Sequence, residues 1–197
     1  CDARLQFTAK AGDLARCDVV TVAPDVRTDD QGRSDLSEIE ALLDGVIRHL
    51  RPGAVLVVLS QVPLGFTRAR AREGLVLYYQ VETLIFGRAM ERATEPERFI
   101  VGCAREDEPL PEAYATFLSR FGCPILPMRY ESAELAKIAI NACLVSSVSV
   151  ANSLAEICEG VGARWSEIAP ALKLDRRIGP HAYLAPGLGI AGGKLER

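Results

Sequence analysis

The run Ala54-Val55-Leu56-Val57-Val58-Leu59-Ser60 is almost wholly aliphatic and begins directly after Pro52-Gly53. A stretch this short reads as a strand, and a strand apolar on both faces must be covered on both faces. Such a strand sits in a largely parallel sheet with helices above and below it. Residues 17–23 form a second strand candidate, rich in β-branched side chains. Residues 4–8, 75–79 and 98–102 read as further strands, and 123–128 as a short extended segment. Helices are expected at 36–50, capped by Ser34-Asp35 and stopped by Pro52-Gly53, and at 111–121. The alternation of strand and helix predicts an open α/β sheet.

The second half changes character. Residues 132–160 predict one long helix, apolar nearly all round, with short helices at 166–172 and 175–183. A boundary near 125–130 separates an α/β domain, 1–128, from an all-α domain, 129–197. The segment 138–158 is apolar, but Asn141, Ser146, Ser147, Ser149, Asn152, Ser153 and Glu156 make insertion into lipid costly. It is expected to be a buried helix of a soluble protein, with Cys143 in the core.

With 197 residues, 49% of them hydrophobic, the chain is large enough to bury a real core. A net charge of -3 with interspersed signs argues against a nucleic-acid surface or a membrane patch. Six cysteines without C-x-x-C spacing argue against zinc and against a disulfide framework, and for reduced thiols in the cytoplasm. No metal ligand set is expected. The first residues show no secretory signal pattern. The absence of an initiator methionine suggests a fragment.

Several motifs carry chemistry. Lys137 and Asn141 stand one helical turn apart and share a face. A lysine in an apolar helix is costly unless partnered, which favours a functional role. The glycine-dense ending Pro186-Gly187-Leu188-Gly189-Ile190-Ala191-Gly192-Gly193-Lys194 lets backbone approach a ligand closely. Together with Glu134-Leu135-Ala136-Lys137-Ile138-Ala139-Ile140-Asn141, it resembles the UDP-glucose/GDP-mannose 6-dehydrogenase family. Gly32-Arg33-Ser34-Asp35-Leu36-Ser37 is similar to that family's turn into a helix. Ser60-Gln61-Val62-Pro63-Leu64-Gly65-Phe66-Thr67 is similar to its nicotinamide loop, Gln80-Val81-Glu82-Thr83-Leu84 to its glutamate loop, and Asp175-Arg176-Arg177-Ile178-Gly179 to a substrate motif.

The resemblance covers nearly the whole chain. It implies the rear part of a Rossmann-like NAD-binding domain, followed by a central helical domain that dimerises through the long helix. No G-x-G-x-x-G turn stands where the family holds the cofactor pyrophosphate. Carried over by position, Lys137, Asn141 and Glu82 would be catalytic, and Arg177, Tyr183, Gly187, Gly189 and Gly192 would bind the nucleotide sugar. Val26, Ser60 and Gln61 would lie at the cofactor. The implied function is NAD-dependent oxidation of the C6 hydroxyl of a nucleotide-activated hexose by a cytoplasmic homodimer. Lys194 stands where the family has its nucleophilic cysteine. A lysine cannot form the thioester of the second oxidation. The chain is therefore expected to belong to a divergent dehydrogenase that stops at the aldehyde or works on another nucleotide sugar, to a non-catalytic relative that binds a nucleotide sugar or a partner, or to be only a structural piece of an enzyme.

Overall fold

The computed structural model of the chain describes residues 5–29, 31–85 and 87–187. It divides into two compact units, Cys1–Lys137 and Ile138–Arg197. After a 3-10 turn at Ala11–Arg16, the first unit runs β1 (Val19–Val22), β2 (Arg27–Thr28), β3 (Ser34–Asp35), α1 (Ser37–Ile47), β4 (Val55–Val58), α2 (Phe66–Arg70), β5 (Val76–Gln80), α3 (Ala89–Thr94), β6 (Phe99–Cys103), α4 (Glu112–Ser119) and β7 (Ile125–Arg129). Next comes α5 (Tyr130–Val161), which enters the second unit, and then α6 (Trp165–Leu174).

β1, β4, β5, β6 and β7 form one sheet in that spatial order, and β2 and β3 form a small antiparallel ribbon. β1, β4 and β5 are mutually parallel, as are β6 and β7, but β5 and β6 pair antiparallel. A parallel return needs a crossover over a sheet face. The link from β5 to β6 carries only the short α3 and re-enters the sheet from the end it left, so the expected parallel sheet is mixed at this seam.

All of β4 is buried, as its apolar sequence requires. On one face, Val55 and Val57 join Phe99 and Val101 of β6 and Tyr114 and Leu118 of α4 in a single cluster. Full burial of each such aliphatic or aromatic side chain stabilises by about 1.5–3 kcal/mol. Gly102 of β6 serves a different end. A Cβ there would lie 3.0 Å from the Ala133 Cβ and 3.1 Å from the Tyr79 Cβ, so only glycine admits α5 this close to the sheet. The Tyr130 hydroxyl donates to the Leu77 carbonyl at 2.7 Å, and the Lys137 ammonium donates to the Glu82 carbonyl at 2.6 Å. The start of α5 thus follows β5 from its first residues to the loop beyond its end.

Four expectations need correction. Residues 5–8 form no strand: Leu5 and Phe7 are exposed, with no neighbouring strand to bury alternate side chains. Ser34 and Asp35 belong to β3, and α1 is shorter than expected, although the Asp35 carboxylate does accept the Ser37 N–H at 3.0 Å. Residues 175–183 turn rather than form a helix, because Gly179 sits at φ 85° and Pro180 has no N–H to donate. Within the second unit α5 is not covered on all sides. Val150, Ile157 and Val161 stay exposed, Cys143 is exposed, and only Val148, Ala151 and Cys158 are buried, since a ten-residue α6 and a coil cannot enclose a helix of this length. By length and composition alone α5 could cross a membrane.

Candidate active site

Open α/β sheets bind ligands at the carboxyl ends of their parallel strands. Here those ends carry the loops after β1, β4 and β5, and the sequence ties them together. Leu59 donates its N–H to the Val22 carbonyl at 2.8 Å. The buried Ser60 hydroxyl donates to the Pro24 carbonyl at 2.6 Å. Val26 is buried in the loop after β1, and Gln61 is half-buried in the loop after β4.

That second loop ends at Gly65, whose φ of 86° is left-handed and suits glycine, and it opens α2. A helix start leaves N–H groups without intrahelical partners. Glu134, only 1% exposed, supplies them from α5. Its Oε2 accepts the Gly65 N–H at 2.6 Å and its Oε1 accepts the Thr67 N–H at 2.9 Å. Burying a carboxylate is costly unless it is hydrogen-bonded, and both oxygens are.

One turn further along α5, Lys137 reaches the third loop through the Glu82 carbonyl. The Glu82 carboxylate itself accepts the Leu84 N–H, which shapes its own loop. Beside these strand ends a cleft of about 250 Å³ is lined by Thr21, Leu59, Glu82, Arg92, Tyr114 and Phe117, among others. The Tyr114 hydroxyl donates to the Gln80 side-chain carbonyl at 2.6 Å. Burial pushes the phenols of Tyr79 and Tyr114 well above their ordinary range, and that of Tyr130 up to about 12. All three are neutral near neutral pH, and the Tyr114 and Tyr130 hydroxyls serve as hydrogen-bond donors. The Arg68 guanidinium pairs with Glu131 at 2.8 Å and lies 4.8 Å from the centre of the Tyr130 ring. That pairing holds the Glu131 carboxyl below the usual range.

The second unit holds a separate group. Asn141 lies half-buried on α5. Arg177 is exposed and forks onto Asp175, with Nε–Oδ1 3.0 Å and NH2–Oδ2 2.7 Å, and it holds that carboxyl below its ordinary value. Tyr183 is exposed. Gly187 and Asn152 form a reciprocal pair: the Gly187 N–H donates to Asn152 Oδ1 and Asn152 Nδ2 donates to the Gly187 carbonyl, each at 2.8 Å. The Trp165 indole donates to the Leu184 carbonyl at 2.7 Å, which fixes the approach to the glycine loop. Gly189, Gly192 and Lys194 lie outside the described residues.

The first unit therefore brings Lys137 to the Glu82 loop and, through Glu134, to the loop of Ser60 and Gln61. Sequence reasoning gave Glu134 no role. Its signal was a carboxylate in an otherwise apolar helix, one turn before the lysine.

Residues 131–197 match the profile of the UDP-glucose/GDP-mannose dehydrogenase family, central domain. The chain is 32% identical to a UDP-glucose 6-dehydrogenase of Pseudomonas aeruginosa, over 96% of this chain and 45% of that protein. It is 30% identical to the UDP-glucose 6-dehydrogenase TuaD of Bacillus subtilis, over 97% of this chain and 43% of that protein. It superposes on the structure of a UDP-glucose dehydrogenase from the archaeon Pyrobaculum islandicum with a TM-score of 0.79 and 30% identity, over 98% of this chain and 47% of that one. The chain thus spans about half the length of the curated relatives it matches.

Proposed function

The chain belongs to the UDP-glucose/GDP-mannose dehydrogenase family, and from that premise we propose that it forms the rear of the cofactor domain (1–128) and the substrate and dimerisation domain (129–197) of an NAD-dependent nucleotide-sugar dehydrogenase. The substrate is a UDP-linked hexose oxidised at its C6 hydroxyl, in a cytoplasmic homodimer that contacts neither nucleic acid nor membrane and supplies polysaccharide precursors. The observation that carries the reading is the meeting of Lys137 with the loop after β5, and of Glu134 one turn earlier with the loop after β4, at the carboxyl edge of the sheet.

The residues present fit the nicotinamide end of the cofactor. Ser60 is held against the loop after β1, Val26 gives that loop an apolar anchor, and the half-buried Gln61 would supply an amide to the cofactor. When bound there, NAD would supply the hydride acceptor for C6. The Lys137 ammonium stabilises the negative charge that develops on the C6 oxygen as its proton leaves. Asn141 fixes the hydroxyl by hydrogen bonding. Glu82 holds the loop that receives Lys137 and relays the released proton to water. Arg177 turns its fork of donors from Asp175 to the diphosphate. Tyr183, Gly187, Gly189 and Gly192 line the nucleotide.

Lys194 decides how far the reaction runs. A thiolate adds to the aldehyde and later departs, whereas an amine at its ordinary pKa of about 10.4 is protonated near neutrality. We therefore place the end of the reaction at the aldehyde. The same residue is what favours the second reading, a non-catalytic binder of nucleotide sugars. The test counts NADH formed per UDP-glucose consumed by the full-length protein. One NADH supports oxidation to the aldehyde. Two would show that the acid is made without the loop cysteine, and none with retained UDP-glucose binding would establish the binder.

A further inference from the structure

Glu134 is the most deeply buried charged side chain in the described chain, and the chemistry above makes no use of it. Its place is unusual. The two carboxylate oxygens take the N–H groups of Gly65 and Thr67, the end of the loop that carries Ser60 and Gln61. One turn later on the same helix, Lys137 takes the carbonyl of Glu82. One stretch of α5 thus grips the backbone of two neighbouring strand-end loops, with an acceptor for one and a donor for the other. The grip needs a carboxylate. Both partners of Glu134 donate, so an amide in its place would satisfy one N–H and present its own NH2 to the second.

We propose that Glu134 is a positioning residue: it sets the Ser60–Gln61 loop at a fixed distance from Lys137 and from the Glu82 loop, so that cofactor and sugar meet in register. The proposal rests on the dehydrogenase reading for its consequence in turnover, but not for its geometry.

The test compares Glu134→Gln and Glu134→Asp with Glu131→Gln in the full-length protein. The last breaks a neighbouring exposed ion pair with Arg68 and serves as a control for general damage near the same helix. Two quantities are measured: amide hydrogen exchange at Gly65, Thr67, Thr83 and Leu84, and kcat and KM with UDP-glucose and NAD. Loss of charge-assisted bonds should speed exchange at Gly65 and Thr67 by about tenfold to a hundredfold in Glu134→Gln. Exchange should also quicken at Thr83 and Leu84, because the two loops share one anchor. A kcat lowered at least tenfold with the sugar KM changed less than threefold, partial recovery in Glu134→Asp and near-normal values in Glu131→Gln, would support the role. Faster exchange with unchanged kcat would reduce Glu134 to a helix cap and overturn the proposal, as would unchanged exchange at Gly65 and Thr67. If the wild-type protein turns over no substrate, the dehydrogenase reading fails separately. The positioning claim then stands or falls on whether the second loop loosens with the first.

Discussion

The two units treat their apolar residues in opposite ways. In the first, strands and helices close on one another: β4 is buried throughout, and Tyr79, Tyr114 and Tyr130 are each about 1% exposed. Of the three polar side chains taken inside, Ser60, Thr67 and Glu134, the first and last carry short hydrogen bonds that serve the strand-end loops. In the second, one long helix dominates, and Val150, Ile157 and Val161 face outward. The difference follows from geometry. A sheet offers each helix a broad surface, whereas a lone helix offers a stripe and needs several others around it. Large exposed apolar patches are common docking surfaces. A second copy of the chain laid along α5 is the occupant proposed above.

The sharpest way to break the order of the first unit is at its tightest approach. Gly102→Ala would push a methyl group against Ala133 and Tyr79 and lift α5 from β6. Overpacking of this kind costs about 1–3 kcal/mol. The urea midpoint of the chain should fall accordingly, and because Glu134 and Lys137 ride on the same helix, any turnover should fall with it. An unchanged midpoint would mean that α5 does not seat on the sheet as described.

This contact also shows where sequence reasoning stops. The strands at 17–23, 54–60, 75–79 and 98–102 were legible because β-branched and aliphatic runs have few other uses, and α5 was legible because its pattern is long. That Lys137 and Glu82 serve one site was implied only by the resemblance, and the bond from Lys137 to the Glu82 carbonyl was not implied at all. The reversal at β6 was not, because strand direction depends on how the connection runs and not on the strand's own residues. Glu134 stands out in the sequence as a carboxylate in an apolar helix, but its role does not, because its partners are main-chain N–H groups far away in sequence, which leave no side-chain signature. The failure at 175–183 was local, since Gly179 and Pro180 were in plain view. Nothing in the sequence around Gly102 marks it out, because Ala133, which packs over it, lies far along the chain.

A smaller effect comes from pH. Burial raises the Tyr130 phenol from an ordinary 10.0 to about 12. A raised pKa in the folded state favours the protonated form there, so the contribution is complete below the unfolded value and fades as pH rises from about 10 to about 12. Tyr79 and Tyr114 are shifted in the same sense. The first unit should therefore lose stability steeply above pH 10, with its tyrosines ionising only as it unfolds. Tyr130→Phe leaves the Leu77 carbonyl without its donor, at about 1 kcal/mol near neutrality, but should flatten the alkaline fall. Equal slopes in the two proteins would assign the alkaline loss to other groups.

The smallest effect on folding is expected at Ile157, and it tests the other side of the comparison. Its side chain is 58% exposed, so Ile157→Ala should move the stability of the isolated chain by less than about 0.5 kcal/mol. If two copies associate through α5, the same residue lies in a twofold interface and is lost twice. Self-association should then weaken by about tenfold or more, read as a shift in the sedimentation-velocity midpoint over a dilution series. The contrast between an unmoved melting curve at low concentration and a weakened dimer would separate surface from interface. A wild-type chain that stays monomeric at every concentration would break the dimer proposal, and the apolar face of α5 would then need cover from some other surface. A chain whose melting falls sharply with Ile157→Ala at low concentration would mean instead that α5 is packed within its own unit, and the contrast between the two units would be smaller than it looks.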